Sequence, residues 1–249
     1  MRRGAAILFS LVFYPVLAGY TLAAVAVLTA WMVVGAPFFS HRENMRRFRR
    51  MIAIYSRGIV RGLARPVLRT VFESADPDLR KPRLFISNHV SASDAFLMAL
   101  LPADGVLVVK DWPFRLPVLG FFARLAGYLN IQGLSAEAFE AAAKRLLDEG
   151  NSIVAFPEGT RAGTGPMGPF RGGIFRLALA TQVPVVPICI AGNERTPARG
   201  SLVLEPATVR VRCLPAIPPE SYRDLTPFQL KNHVRQLIQE EVDRMRAAS

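Results

Sequence analysis

The stretch Arg83-Leu-Phe-Ile-Ser-Asn-His-Val-Ser-Ala-Ser-Asp-Ala-Phe-Leu-Met-Ala-Leu-Leu101 reads as a strand, a polar turn and a helix in immediate succession. Residues 83–87 are long enough for a buried strand and too short for a helix. The turn that follows is polar and small, and Ser93 or Asp94 suits the cap of a helix over 93–101. The same alternation recurs downstream. Apolar β-branched runs at 106–110, 152–156, 185–191 and 208–214 alternate with helical patterns at 117–125, 136–148, 173–180 and 227–245. Ser135 is placed to cap the 136–148 helix and Gly150 to stop it, while Thr226 and Pro227 supply a cap and a first-turn proline. This alternation predicts an α/β domain with a largely parallel sheet flanked by helices, spanning 75–249 without repeat or linker.

Upstream the texture is different. Ala5 to Ser40 is an uncharged run of 36 residues, which as one straight helix measures roughly 54 Å. A bilayer's hydrocarbon core is about 30 Å thick, so a single helix would tilt by more than about 50°. Arg2 and Arg3 precede the run, and Arg42, Arg46, Arg47, Arg49 and Arg50 follow it. Basic residues at both ends prefer the cytoplasmic side. A shallow helical hairpin broken near Pro15 to Gly19 meets both conditions and is the expected form. One spanning helix with interfacial extensions is the alternative; a cleaved signal peptide fits poorly, because the run far exceeds an h-region. From residue 41 to 74 apolar residues recur at spacings of three to five, and Arg57, Arg61, Arg65 and Arg69 recur every fourth residue. This pattern predicts a basic amphipathic helix, kinked or ended by Pro66, lying on anionic lipid or forming an ordinary solvated face. Residues 1–74 thus form a membrane-associated helical segment ahead of the α/β domain.

Composition supports that division. The hydrophobic fraction is 51% and the formal net charge +12, with a mean hydropathy of +0.26 and a pI of about 10.7. So basic a chain is drawn to polyanions. The arginines sit beside an apolar anchor rather than among stacking aromatics, which argues for lipid headgroups and against nucleic acid. Cys189 and Cys213 lie in strand-like runs and are predicted to be buried thiols. Three scattered histidines make no zinc-like cluster, so no metal is expected.

Two constellations carry chemistry. His89 and Asp94 are five residues apart, at the point where a strand gives way to a helix. Open α/β sheets bind ligands at such carboxyl ends. If the turn folds back, the carboxylate fixes the imidazole tautomer and leaves the other ring nitrogen free to take a proton from an alcohol. The alternative is a helix cap beside a loop histidine. The second constellation is Phe156-Pro-Glu-Gly-Thr-Arg161, directly after the 152–156 strand. Gly159 permits close backbone approach, Thr160 offers a hydroxyl, and Arg161 can grip phosphate with a bidentate fork. Glu158 is placed to orient Arg161 or a bound hydroxyl. Beyond it Gly163, Gly165, Gly168, Gly172 and Gly173, with Arg171 among them, form either a phosphate-cradling loop or a surface turn. The pattern of nucleotide-binding loops is absent. The apolar segment from Trp112 to Tyr128 either faces a bilayer, lines an acyl channel or covers the sheet.

Asn88-His89 with Asp94, then Phe156 to Arg161, then Val183-Pro-Val-Val-Pro-Ile188 follow the order and spacing of the glycerolipid acyltransferase family. The resemblance spans residues 83–192, and is greatest to bacterial 1-acylglycerol-3-phosphate acyltransferases. It implies that an acyl group passes from acyl-CoA or acyl-carrier protein to a lysophospholipid hydroxyl, at the cytoplasmic face of an inner membrane and without a further cofactor. His89 would be the general base and Asp94 its partner. Glu158, Gly159, Thr160 and Arg161 would bind the acceptor phosphate and help stabilise the oxyanion, with Lys110 at a basic position near the phosphate. One block departs. Where the family carries an Asp-Arg pair on a strand, this chain reads Gly127-Tyr-Leu-Asn-Ile-Gln-Gly133. The missing cation leaves room for Arg124 or Arg171 to substitute, or for a different lyso-lipid acceptor, such as an amino-acid-containing one. An inert membrane-binding module of the same fold is the reading from another class.

Overall fold

The computed structural model describes residues 3–198 and 200–248. Arg2, part of the basic N-terminal flank, lies outside them. A seven-stranded sheet is built from β1 (Leu68–Ser74), β2 (Leu84–Ser87), β3 (Gly105–Val109), β4 (Leu129–Asn130), β5 (Ser152–Ala155), β6 (Val185–Ala191) and β7 (Ala207–Cys213). The strand order is β1-β7-β6-β2-β5-β3-β4. Neighbours run parallel except β6 and β7. β2, β5 and β6 are buried at every position, which is why they read as continuous apolar runs rather than alternating ones.

Helices cover both faces. α6 (Ala136–Asp148), α7 (Gly173–Thr181) and α8 (Pro227–Ala247) bury Phe139, Phe175, Leu230 and Ile238 against one side. α3 (Asp94–Leu97), its 3-10 extension (Met98–Leu100) and the end of the N-terminal helical segment bury Leu97, Met98 and Val60 against the other. Three of the capping signals form as their chemistry dictates, whereas Ser93 makes no side-chain cap on α3 and Asp94 accepts from the turn before it. The Ser135 side chain accepts from Ala138 N, Thr226 makes a capping box with Gln229, and Gly150 ends α6 at φ +84°. α4 (Trp112–Arg115) and α5 (Pro117–Leu125) follow β3. α5 sets Phe122 against Phe48, with ring centroids 5.6 Å apart. Trp112 and Phe121 stay exposed.

The N-terminal segment differs from its sequence reading in two respects. α1 (Arg3–Gly35) runs unbroken through Pro15, so the hairpin break predicted near Pro15 to Gly19 is absent. A proline removes one intrahelical bond. Here that loss is offset by packing on both sides of it: Phe13 joins Ala64, Val67 and Leu204, while Tyr20 stacks on Tyr55 and Leu28 packs on Phe48. At 33 residues the rod is roughly 50 Å long, and it is long and apolar enough to cross a membrane. α2 (His41–Gly58) is amphipathic and opens on a capping box of Ser40 and Glu43. It does not extend to residue 74. After a π-helical turn (Ile59–Leu63) the chain passes Pro66 and becomes β1, an edge strand on β7. Leu68 continued the spacing of apolar residues by coincidence; Thr70, Val71 and Phe72 favour the pleated conformation.

The basic residues also divide. Arg49 is buried and donates to Asp104 at 2.6 and 3.0 Å, to Asn151 at 2.7 Å and to the Ala126 carbonyl at 3.0 Å. Arg57 donates to the Ala99 carbonyl at 2.6 Å. These two fasten α2 to the domain, whereas Arg61, Arg65 and Arg69 remain exposed.

Candidate active site

Because β2, β5, β6 and β3 are parallel, their carboxyl ends share one edge of the sheet. The chain leaves that edge as Asn88-His89, Phe156-Pro157-Glu158, Gly192-Asn193 and Lys110 respectively. Asn88 extends the ladder sideways. Its amide donates to the Ile190 carbonyl at 2.9 Å and accepts from Ile190 N at 2.8 Å. The backbone is thereby pinned one residue before His89.

The turn then folds back on itself. Asp94 Oδ2 lies 2.8 Å from His89 Nδ1 and accepts the Val90 and Ser91 N–H groups at 2.6 and 2.9 Å. Its other oxygen accepts from Asn193 Nδ2. Asp94 is 0% exposed. A carboxylate so deeply buried requires several donors to offset its lost hydration, and four converge on it. Its acceptance from Nδ1 assigns that nitrogen the proton and leaves Nε2 with its lone pair. Nε2 has no hydrogen-bond partner among the described residues, and the ring, part exposed, leans on Phe156 at 4.6 Å between centroids. A tautomer-fixed imidazole with an open nitrogen at a sheet edge is equipped to accept a proton from an alcohol.

Glu158 is used differently from its sequence reading. One carboxylate oxygen accepts His89 N at 2.7 Å and the other accepts Gly168 N at 2.8 Å. Neither oxygen meets Arg161; each takes a backbone donor instead, as a buried carboxylate takes the donors nearest to it. Glu158 thereby ties the His89 turn to the glycine-rich loop. Burial pushes its carboxyl above the usual glutamate range, and the two backbone donors partly offset this. The loop is laced further by Ala162 N to the His89 carbonyl at 2.8 Å and Gly163 N to the Val90 carbonyl at 3.0 Å. Arg235 on α8 donates to the Met167 and Gly168 carbonyls.

Gly159 sits at φ +65° with the Arg171 side chain against it: a Cβ there would come within 3.0 Å of Arg171 Nε. Arg171 N donates to the Pro157 carbonyl at 2.9 Å, which holds that guanidinium beside the loop. Thr160, Arg161 and Arg171 are exposed, and none has a side-chain hydrogen bond or ion pair among the described residues. Lys110 is half-buried just past β3 on the same edge, equally without a partner. Arg124 is engaged elsewhere, donating to the Phe114 carbonyl at 2.9 Å. At the departing block, Asn130 accepts the Gln132 and Gly133 N–H groups at 3.0 Å, and Gln132 accepts Asp111 N at 3.2 Å. These side chains build a turn where the resemblance to the family leads to the expectation of an arginine.

Asn193 and Thr196 were not singled out by sequence, although both face Asp94 or its partner. The available signal was a Gly-Asn pair at the carboxyl end of a strand. Gly192 adopts φ +83°, and a Cβ there would run into the Thr208 carbonyl.

Comparison with known proteins adds kinship to this geometry. A sequence model of the Acyltransferase family matches residues 66–191. The 1-acyl-sn-glycerol-3-phosphate acyltransferase of Limnanthes alba is 33% identical over 143 residues, covering 55% of this chain and 51% of that protein. The chloroplastic 1-acyl-sn-glycerol-3-phosphate acyltransferase LPAT1 of Arabidopsis thaliana is 30% identical over 207 residues, covering 80% of this chain and 56% of that protein. The chain spans about half the length of the curated relatives it matches. The crystal structure of the 1-acyl-sn-glycerophosphate (LPA) acyltransferase PlsC from Thermotoga maritima superposes with a TM-score of 0.75 over 99% of this chain and 98% of that one, at 20% identity. At that identity the likeness is one of fold.

Proposed function

The chain belongs to the acyltransferase family, and on that premise we propose that it transfers a fatty acyl group from a thioester donor to the free hydroxyl of 1-acylglycerol 3-phosphate, giving phosphatidate. The observation that carries this reading is the open Nε2 of His89, backed by buried Asp94, beside a loop of unpaired cations. His89 Nε2 takes the proton as the acceptor oxygen attacks the thioester carbonyl. The C–O bond forms, and the C–S bond then breaks. The imidazolium returns the proton to the departing thiolate. No covalent acyl-enzyme is required, although Ser91 and Ser93 lie close.

Arg161 and Arg171, with Lys110, receive the acceptor phosphate, for which guanidinium forks are well matched. Gly159 keeps the loop backbone open to that phosphate. Glu158 positions the His89 backbone. Acyl-CoA and acyl-carrier protein both present the required thioester. α1 suits the chain to membrane association, and the cytoplasmic face of an inner membrane would supply both a lipid acceptor and either donor. A second reading keeps the chemistry and changes the acceptor to a lyso-lipid without a terminal phosphomonoester. It is favoured by the turn that Asn130 and Gln132 build in place of a cation.

The test is transfer from labelled acyl-CoA or acyl-carrier protein to a panel of lyso-lipids by purified protein in detergent. The expected result is transfer to 1-acylglycerol 3-phosphate, abolished in His89→Ala. Transfer confined to lyso-lipids lacking a phosphomonoester moves the assignment to the second reading. A His89→Ala variant as active as the parent would overturn the mechanism.

A further inference from the structure

The hydrogen bonds on Asp94 do not end at the imidazole. Oδ1 receives Asn193 Nδ2, and Asn193 Oδ1 receives the Thr196 hydroxyl. The Ser93 hydroxyl is also 3.1 Å from that oxygen. Asn193 and Thr196 are each 1% exposed, so this side of the carboxylate is closed to solvent. An amide can present either its oxygen or its nitrogen. The carboxylate settles the choice, because it only accepts: the NH2 faces Asp94, and the oxygen faces the two hydroxyls, which can donate to it. Gly192 makes the arrangement possible. Its positive φ turns the chain sharply off β6, in a space that a Cβ could not share with the Thr208 carbonyl.

We propose that Asn193 is a positioning residue for the transfer reaction, a third member that locks Asp94 against His89, with Thr196 as the group that fixes its amide. The inference rests on the general-base reading of His89. Without the Asn193 donor, Asp94 can rotate about its Cβ–Cγ bond and offer Nδ1 a worse-aligned oxygen. The imidazole is then less often in the attacking tautomer and orientation. This affects the chemical step and leaves both substrate sites intact. A hydrogen bond to a charged group of this kind corresponds to a loss of about 10- to 100-fold in rate.

The experiment compares full-length wild type, Asn193→Ala, Asn193→Asp, Thr196→Val and Thr196→Ser in one detergent, with kcat and both KM values measured and thermal melts recorded. Asn193→Ala and Asn193→Asp are expected to lower kcat about 10- to 100-fold, with each KM within about twofold of wild type. Thr196→Val, which lacks the hydroxyl, should fall part of the way, and Thr196→Ser, which keeps it, should stay near wild type. A folded Asn193→Ala with kcat within about twofold of wild type overturns the proposal. So does a loss expressed in KM, or equal behaviour of the two Thr196 variants. If the Asn193 variants do not fold, the Thr196 pair decides. A wild type that acylates nothing removes the general-base reading and this inference with it, whereas an active wild type with unaffected variants removes the role of Asn193 alone.

Discussion

Replacing Asp94 by asparagine separates what the carboxylate does as a charge from what it does as an acceptor. The amide that replaces it has two orientations. With its nitrogen at the Oδ2 position, three donors lose their acceptor: His89 Nδ1, Val90 N and Ser91 N. With its nitrogen at the Oδ1 position only one conflict arises, NH2 against the Asn193 NH2. The second orientation prevails, because one unsatisfied pair costs about 1–3 kcal/mol and three cost several times that. For a chain of this length the melting temperature should fall by roughly 2–12 °C. The imidazole keeps its tautomer but loses a negative charge roughly 4 Å from the imidazolium that forms, worth about 4 kcal/mol at an effective dielectric near 20. That corresponds to roughly 1,000-fold in kcat. The double variant Asp94→Asn with Asn193→Asp divides the two effects. A carboxylate at 193 accepts the new amide on one oxygen and the Thr196 and Ser93 hydroxyls on the other, so every donor is satisfied again. Stability should return towards wild type while kcat stays low, because the charge has moved one side chain away from the ring. Thermal melts and initial rates under donor and acceptor saturation check both. An Asp94→Asn variant within about tenfold of wild-type kcat refutes the His89–Asp94 mechanism. A double variant no more stable than Asp94→Asn refutes the amide geometry.

Removing Arg49 should be a fault of stability rather than of catalysis. Its loss leaves the Asn151 side-chain oxygen without its donor and Asp104 with only the longer ion pair to Arg46, at a cost of about 2–3 kcal/mol, so Arg49→Ala should melt roughly 4–12 °C lower with KM unchanged in the folded fraction. Arg161→Ala and Arg171→Ala should each raise the acceptor KM about tenfold and leave the donor KM alone, with the effect shrinking at high salt; an effect on donor KM counts against phosphate binding. Glu158 provides a pH signature, because burial holds its carboxyl above the usual glutamate range. A raised folded-state value contributes stability that is complete below the ordinary glutamate range and is lost as pH rises through the raised one. Denaturant melts from acid to neutral pH should therefore show wild type losing stability relative to Glu158→Gln across that window, and a flat difference would contradict the burial. Leu11 and Leu22 are 67% and 71% exposed on α1, so aspartate at both should weaken vesicle flotation, each charge costing about 2.5–3.5 kcal/mol in a bilayer interior. Undiminished flotation would show that α1 is not the anchor.

What was legible in the sequence is what local chemistry decides. β2, β5 and β6 are buried at every position and mostly apolar because helices cover both faces, and that texture survives in one dimension. His89 and Asp94 were legible because five residues of turn bring them together without help from the rest of the chain. Errors arose where packing overrides local habit. Pro15 reads as a break, yet α1 continues because Phe13, Tyr20 and Leu28 each find a seat on the domain. Residues 68–74 fit a helical spacing, yet β7 offers them a pairing partner more than a hundred residues away. Glu158 looked like a ligand for Arg161 three residues on, and instead holds His89 from the neighbouring strand end. Asn193 was hidden for the same reason. Its meeting with Asp94 depends on β6 lying beside β2 in the register that pairs Ser87 with Ile188, and on a glycine turn whose shape is set by β7. A register shift of one residue would point Asn193 away from the carboxylate. The base and its carboxylate therefore belong to a local motif, whereas the group that holds the carboxylate belongs to the sheet, and only the assembled fold unites them.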